Sequence, residues 1–230
     1  MRKVRNLGDD RNKGWCVHCG GPRETRDHAP SLVFLDEPYP PDLPASPSCR
    51  KCNQGFSLDE EYVACLVECV VAGDVDPERL ARPGIAAILR QSQNLTARLM
   101  AARREENGQT IFDVEQSRVR AVMLKLARCH AAYELNEPQL GEPVSYLCKP
   151  LMMMSEDERA DFEDEVSGLD VWPEVGSRAM ERMIVLGSDS FGGGWLVVQD
   201  GRYRYRTSQS DGLRVRIVIR EYLACEIVWD

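Results

Sequence analysis

Two C-x-x-C pairs, Cys16/Cys19 in "CVHC" and Cys49/Cys52 in "CRKC", bracket 29 intervening residues that have little means of forming a core alone. Residues 15–56 are rich in Cys, Pro and Gly with few periodic apolar positions, and "DEPYPPDLPASP" (36–47) reads as extended loop because its five prolines forbid helix. A segment so short of buried apolar surface depends on a cross-link or a metal. Paired knuckles supply one: four thiolates make a closed tetrahedral zinc set of the structural kind. Such a site leaves no open position on the ion, so this zinc is expected to hold the fold rather than activate water. His18 lies between the first pair and is expected to be a knuckle residue, not a ligand.

The remaining five cysteines, Cys65, Cys69, Cys129, Cys148 and Cys225, sit in apolar patterns and read as small buried hydrophobes. An odd total of nine, used in this way, fits a reducing compartment better than a disulfide framework. The basic opening "MRKVRNLGDDRNKGW" lacks the apolar stretch of a secretory signal, and no run approaches the ~20 apolar residues of a membrane span. The expectation is therefore a cytoplasmic protein with no membrane partner.

Beyond the knuckles the pattern becomes helical. "SLDE" at Ser57 reads as a capping box with Glu60, followed by Tyr62, Cys65, Leu66 and Cys69 at helical spacing. A second helical stretch runs from about Pro77, with a kink at "RPG" (82–84), towards "RREENGQ". A third starts near Asp113 and carries Val119, Val122, Met123, Leu126, Ala127 and His130 on one face, with His130 expected to be a core histidine. A second capping box, "SEDE" at Ser155, opens an acidic helix ending near 167–170. After "FGGGW" the period changes to two, and "WLVVQDG", "RYRYRTSQSDG" and "LRVRIVIREYLACEIVW" read as an antiparallel β-meander with turns at "QDG" and "SDG". The expected fold is α+β: a small N-terminal zinc-knuckle core over 1–75, then central helices and a C-terminal antiparallel β-meander within 76–230.

Between and beside the knuckles stand Asp27 and His28 in "RDHAP" and Asn53 directly after the fourth cysteine. This array, C-x-x-C then Asp-His then C-x-x-C-Asn, resembles the HNH endonuclease family with its ββα-metal core, over roughly residues 15–72. The resemblance implies hydrolysis of nucleic-acid phosphodiester bonds, with His28 as general base and a catalytic Mg²⁺ or Mn²⁺ held by Asp27 and Asn53. An imidazole with a pKa of ~6.5 suits proton abstraction near neutrality, and hard oxygen donors suit Mg²⁺. The family's middle asparagine has its nearest counterpart here in Asp42, a departure that adds negative charge near the phosphate. Two bland readings stay open: Asp27 as a turn former and Asn53 as a cap of the knuckle turn. The rival at the level of function is a catalytically inactive zinc-stabilised module that binds nucleic acid or protein.

A net charge of −8 argues against a footprint for nucleic acid over the whole surface. Local basic features are Arg2, Lys3, Arg5, Arg11, Lys13, Arg23 and Arg26 around the Asp-His segment, and Arg202, Arg204 and Arg206 with Arg214, Arg216 and Arg220 in the meander. The default for the second group is a solvated sheet face, and the alternative a surface that tracks DNA or RNA. The acidic stretch 156–165 reads as a solvated helix face or a dock for a basic partner. Expected partners are nucleic acid, DNA ahead of RNA, and a second copy of the chain or a larger defence or DNA-processing complex.

Overall fold

The computed structural model describes residues 10–41, 43–163, 194–209 and 212–230. Its N-terminal part is built on a two-stranded antiparallel pair, β1 (Thr25–His28) and β2 (Ala45–Ser48), in the register Asp27↔Ser46 and His28↔Ala45. The end of the proline segment thus belongs to a strand and not to a loop. Pro47 lacks an N–H, but in a two-stranded pair its missing donor faces an outer edge, where only its carbonyl is used, accepting from Val17 N at 3.0 Å. A helical turn, α1 (Asp10–Lys13), precedes this unit, while α2 (Arg50–Gly55) and α3 (Ser57–Ala72) follow β2 directly. Helix α3 ends where Gly73 turns left-handed at φ 67°.

The long second helix expected after Pro77 is interrupted. It divides into α4 (Pro83–Gln91) and α5 (Gln93–Ala102), then a hairpin of β3 (Arg103–Glu106) and β4 (Gln109–Phe112). The hairpin turns on Asn107 and Gly108, both at positive φ, the residue pair a type I′ turn requires. The third helix is α6 (Gln116–His130), which runs on into a π-type turn at Ala131–Leu135.

Five strands make the C-terminal sheet: β5 (Ser145–Pro150), β6 (Leu196–Gln199), β7 (Tyr203–Ser208), β8 (Leu213–Ile219) and β9 (Leu223–Trp229), all antiparallel in the order β5-β9-β8-β7-β6. The last four form the expected meander, its third stretch dividing into β8 and β9 at a turn over 220–222 that the pattern does not show, and β5 joins its far edge. The expected "QDG" turn is seen, with Gly201 at φ 63° and Arg202 N bonding Gln199 O. Ser210 and Asp211 of "SDG", Asp42, and the expected end of the acidic helix at 167–170 lie outside the described residues.

One contiguous set of buried side chains joins these parts. It runs from Val17, Phe34 and Leu43 through Cys65, Leu66, Leu99, Val122 and Leu126 to Tyr203, Ile217 and Trp229. His130 lies within it, bonding Tyr203 Oη at 2.7 Å and stacking on Tyr205. The other sheet face is covered by α7 (Glu156–Glu163), whose Phe162 packs with Leu151, Val218 and Ala224. Helix α7 starts with the reciprocal capping box expected there: Glu158 N bonds Ser155 Oγ, and Ser155 N bonds the Glu158 carboxylate. No helix among the described residues is long and apolar enough to cross a membrane.

The basic sheet face is therefore covered rather than solvated. Arg204 forks between Glu163 and Glu221 and lies over Trp195, Arg216 pairs with Glu226, Arg220 with Glu68, and Arg202 with Asp36. Period-two spacing places Arg204 and Arg216 on one face, but the helix that covers them comes from another part of the chain.

The close of the meander gives a direct test. Gly212 has φ +80°, and a Cβ there would lie 2.3 Å from the carbonyl oxygen of Trp229, whereas Gly201, also at positive φ, has open space. Gly212→Ala is expected to cost more than the roughly 1–3 kcal/mol of backbone strain alone. Gly201→Ala should stay within that range. Chemical denaturation of the two variants makes the comparison.

Candidate functional site

The four knuckle sulfurs come together. Cys16, Cys19, Cys49 and Cys52 lie with their Sγ atoms all within 4.8 Å of one another, and Cys19 Sγ stands 3.8 Å from Cys49 Sγ. Zinc–sulfur bonds of ~2.3 Å define a tetrahedron with edges of about 3.8 Å. The donor set therefore fits a structural metal such as zinc.

Local sequence builds each half. Gly20, at φ 69°, lets the first knuckle close with Gly20 N on Cys16 O and Cys16 N on Gly21 O. Cys49 caps α2, its sulfur accepting from Cys52 N at 3.3 Å. Burial of Cys16 works against its thiolate, but the backbone amides of Cys49, His18 and Cys19 outweigh it and bring its pKa down to about 6. Cys52 moves the opposite way, raised by burial and by the neighbouring sulfurs. Four thiolates crowded together need a cation between them.

His18 turns away from this cluster. Its Nε2 lies 3.1 Å from Asp27 Oδ2 and 3.8 Å from Cys129 Sγ on α6. These three buried side chains could also hold an ion by spacing alone, but a protein cation already stands there. Lys125, also on α6 and only 1% exposed, places its Nζ 2.8 Å from Asp27 Oδ1 and 2.6 Å from Glu60 on α3. It also reaches Ser31 Oγ at 2.7 Å and the carbonyl of His28 at 3.2 Å. Burial alone would raise the Asp27 carboxyl, yet His18 and Lys125 hold it below the ordinary carboxylate range, and Asp27 in turn keeps the Lys125 ammonium charged despite its burial.

Asp27 is thus 4% exposed with one oxygen bonded to His18 and the other to Lys125. In this arrangement it does not offer a free oxygen to a divalent ion, and the adjacent ammonium would repel one. Asn53 sits against the same strand: its Nδ2 donates to Arg26 O at 3.1 Å and Thr25 Oγ1 at 3.3 Å, and its Oδ1 accepts no hydrogen bond from the described residues. His28 is half-buried. Its Nδ1 is sealed without a partner among the described residues, so the ring meets solvent through the Nε2 edge. Burial disfavours the imidazolium, and Lys125 and Arg26 add to that against the attraction of Asp27, so its pKa falls below 6.5.

Lys125, Glu60 and His18 are the residues that sequence patterns missed. The Ser57 capping box accounts for Glu60 by spacing, but Ser57 Oγ instead bonds Gln54 O, and the Glu60 carboxylate faces inward to Lys125 and Ser31. Lys125 did leave a signal: it lies three residues after Val122 and four before Cys129, within an otherwise apolar stripe of α6. Comparison of the chain with known protein families, with curated proteins and with solved structures returned no match.

Removing the cation while leaving both carboxylates should be severe. Lys125→Met is expected to lose roughly 3–5 kcal/mol of stability, because two buried acids are left without compensation. Adding Asp27→Asn and Glu60→Gln should recover part of it in equilibrium denaturation. Metal is testable too: one zinc per chain by elemental analysis, with a chelator exposing the knuckle thiols to a thiol reagent and lowering the melting temperature.

Proposed function

We propose that the protein is a metal-dependent endonuclease of the HNH type that hydrolyses nucleic-acid phosphodiester bonds, DNA ahead of RNA. The observation that carries this reading is the placement of His28. It ends β1 with its Nε2 edge open to solvent, on a hairpin clamped by the four-cysteine cluster and followed at once by α2, whose Asn53 docks on the same strand.

A general base must be neutral at working pH and must keep a stable aim. The depressed pKa of His28 supports the first requirement. Lys125, bonded to the His28 carbonyl, and the β1–β2 register support the second. Asn53 Oδ1 is the oxygen that suits a hard cation. The reading includes Mg²⁺ or Mn²⁺, but Asp27 as arranged does not fit as its ligand, so no step is derived through that ion. Arg23, Arg50 and Lys51 are exposed around the knuckles with their side chains in no salt bridge with the described residues, although the Arg50 backbone N–H donates to the Glu24 carboxylate at 2.8 Å, and they suit phosphate contacts.

The same Asp27 observation favours a second reading, a zinc-stabilised binding module without catalysis. A carboxylate locked between His18 and Lys125 stabilises the hairpin whether or not any bond is cut. The two readings part in a cleavage assay on plasmid DNA and on RNA with Mg²⁺ or Mn²⁺. The nuclease reading expects cutting that falls about 10²-fold or more in His28→Ala at unchanged zinc content. Binding without cutting in either metal would leave the module.

A further inference from the structure

Cys148 and Cys225 stand directly opposite each other in the β5–β9 ladder. Just past the strand end, Leu151 N bonds the carbonyl of Tyr222, the residue opposite it, at 2.7 Å. Hydrogen-bonded pairs therefore fall on Leu151, Lys149 and Leu147, and Cys148↔Cys225 is a non-hydrogen-bonded pair. At such pairs the Cα atoms approach to about 4.5 Å and both side chains leave the same face, within the ~4.4–6.8 Å range of disulfides. The other buried cysteines lack this geometry: Cys65 and Cys69 are one turn apart on α3, both raised by burial, and Cys129 is enclosed beside His18.

Access and reactivity also differ. Cys225 is buried, whereas Cys148 is half-buried and lines a cavity of about 90 Å³ with Val67, Val70, Val119, Pro150 and Leu223. That volume admits several water-sized molecules. A thiol hydrogen bond from Cys225 holds Cys148 below the usual cysteine range in spite of its burial, while burial raises Cys225.

We infer that Cys148 and Cys225 are a peroxide-sensitive cysteine pair that closes a reversible disulfide between β5 and β9. The Cys148 thiolate attacks one oxygen of hydrogen peroxide, the O–O bond breaks, and the departing hydroxide takes up a proton as water. The sulfenic acid left on Cys148 is then attacked by the sulfur of Cys225. The S–O bond breaks, the hydroxyl leaves with the Cys225 proton as a second water, and the S–S bond forms. Two thiols are oxidised and one peroxide is reduced; a dithiol reverses the change.

Zinc-loaded protein is treated with hydrogen peroxide and mapped by mass spectrometry of unreduced peptides, with released zinc followed in parallel. The expected product is a Cys148–Cys225 cross-linked peptide, reversed by dithiothreitol and formed before zinc is lost. Cys225→Ser should lose the cross-link and leave Cys148 as a sulfenic acid trapped by dimedone, and Cys148→Ser should lose both signals. Wild-type protein in which the knuckle cysteines oxidise and zinc leaves while Cys148 stays reduced would overturn the inference. So would oxidation of Cys148 that never links to Cys225. Both of those outcomes are read on the unsubstituted chain, so they stand even where a serine variant folds poorly.

Discussion

The ammonium of Lys125 is the contact on which the N-terminal part of the molecule depends. It is delivered by α6 to the back of the β1–β2 hairpin, where it meets Asp27, Glu60, Ser31 and the His28 carbonyl at once. Desolvating a charge costs several kcal/mol, so a lysine this deep is stable only with its acceptors in place. Those acceptors come from β1, from the segment after it and from α3. Their positions fix where the hairpin lies against the helical core. Ser46 on β2 adds a bond to the Cys129 carbonyl of the same helix.

The cluster of four knuckle cysteines works from the opposite end. It ties the first knuckle to the N-terminus of α2, and so closes the chain that leaves β1 and returns through β2. Between the two anchors lies His28, held by its backbone while its ring edge faces solvent. His18 connects them, since it belongs to the first knuckle in sequence and to Asp27 in space. A residue that spacing suggests as a mere knuckle filler is the hinge pin between clamp and core.

Charge on the surface follows a similar logic. The chain is acidic overall, yet its meander is rich in arginine. These guanidinium groups are not spread on an open face; they pair with Glu68, Asp36, Glu163, Glu221 and Glu226 from four different parts of the chain. On the acidic helix α7, Glu158 binds Lys149 and caps its own helix and Glu163 binds Arg204, while Glu156, Asp157 and Asp161 are exposed. Near the knuckles, Arg23, Arg50 and Lys51 are exposed, and none is in a salt bridge with the described residues.

Local chemistry was legible without a structure: the four zinc-type cysteines, helices α3 and α6, the Ser155 capping box and the antiparallel meander follow from spacing and periodicity, but not the turn that divides its last stretch into β8 and β9. The hairpin over Arg103–Phe112 takes in residues that the helical pattern claims, although Asn107-Gly108 is a hairpin-turn pair by composition. Pairings between distant segments were not legible. Nothing near Asp27 announces a lysine 98 residues further on, and nothing in "YLCKP" or "LACEI" says that Cys148 will face Cys225. Periodicity reports which face of an element is apolar. It carries no information on which element will cover that face, because register and helix placement are set by the packing of the whole core.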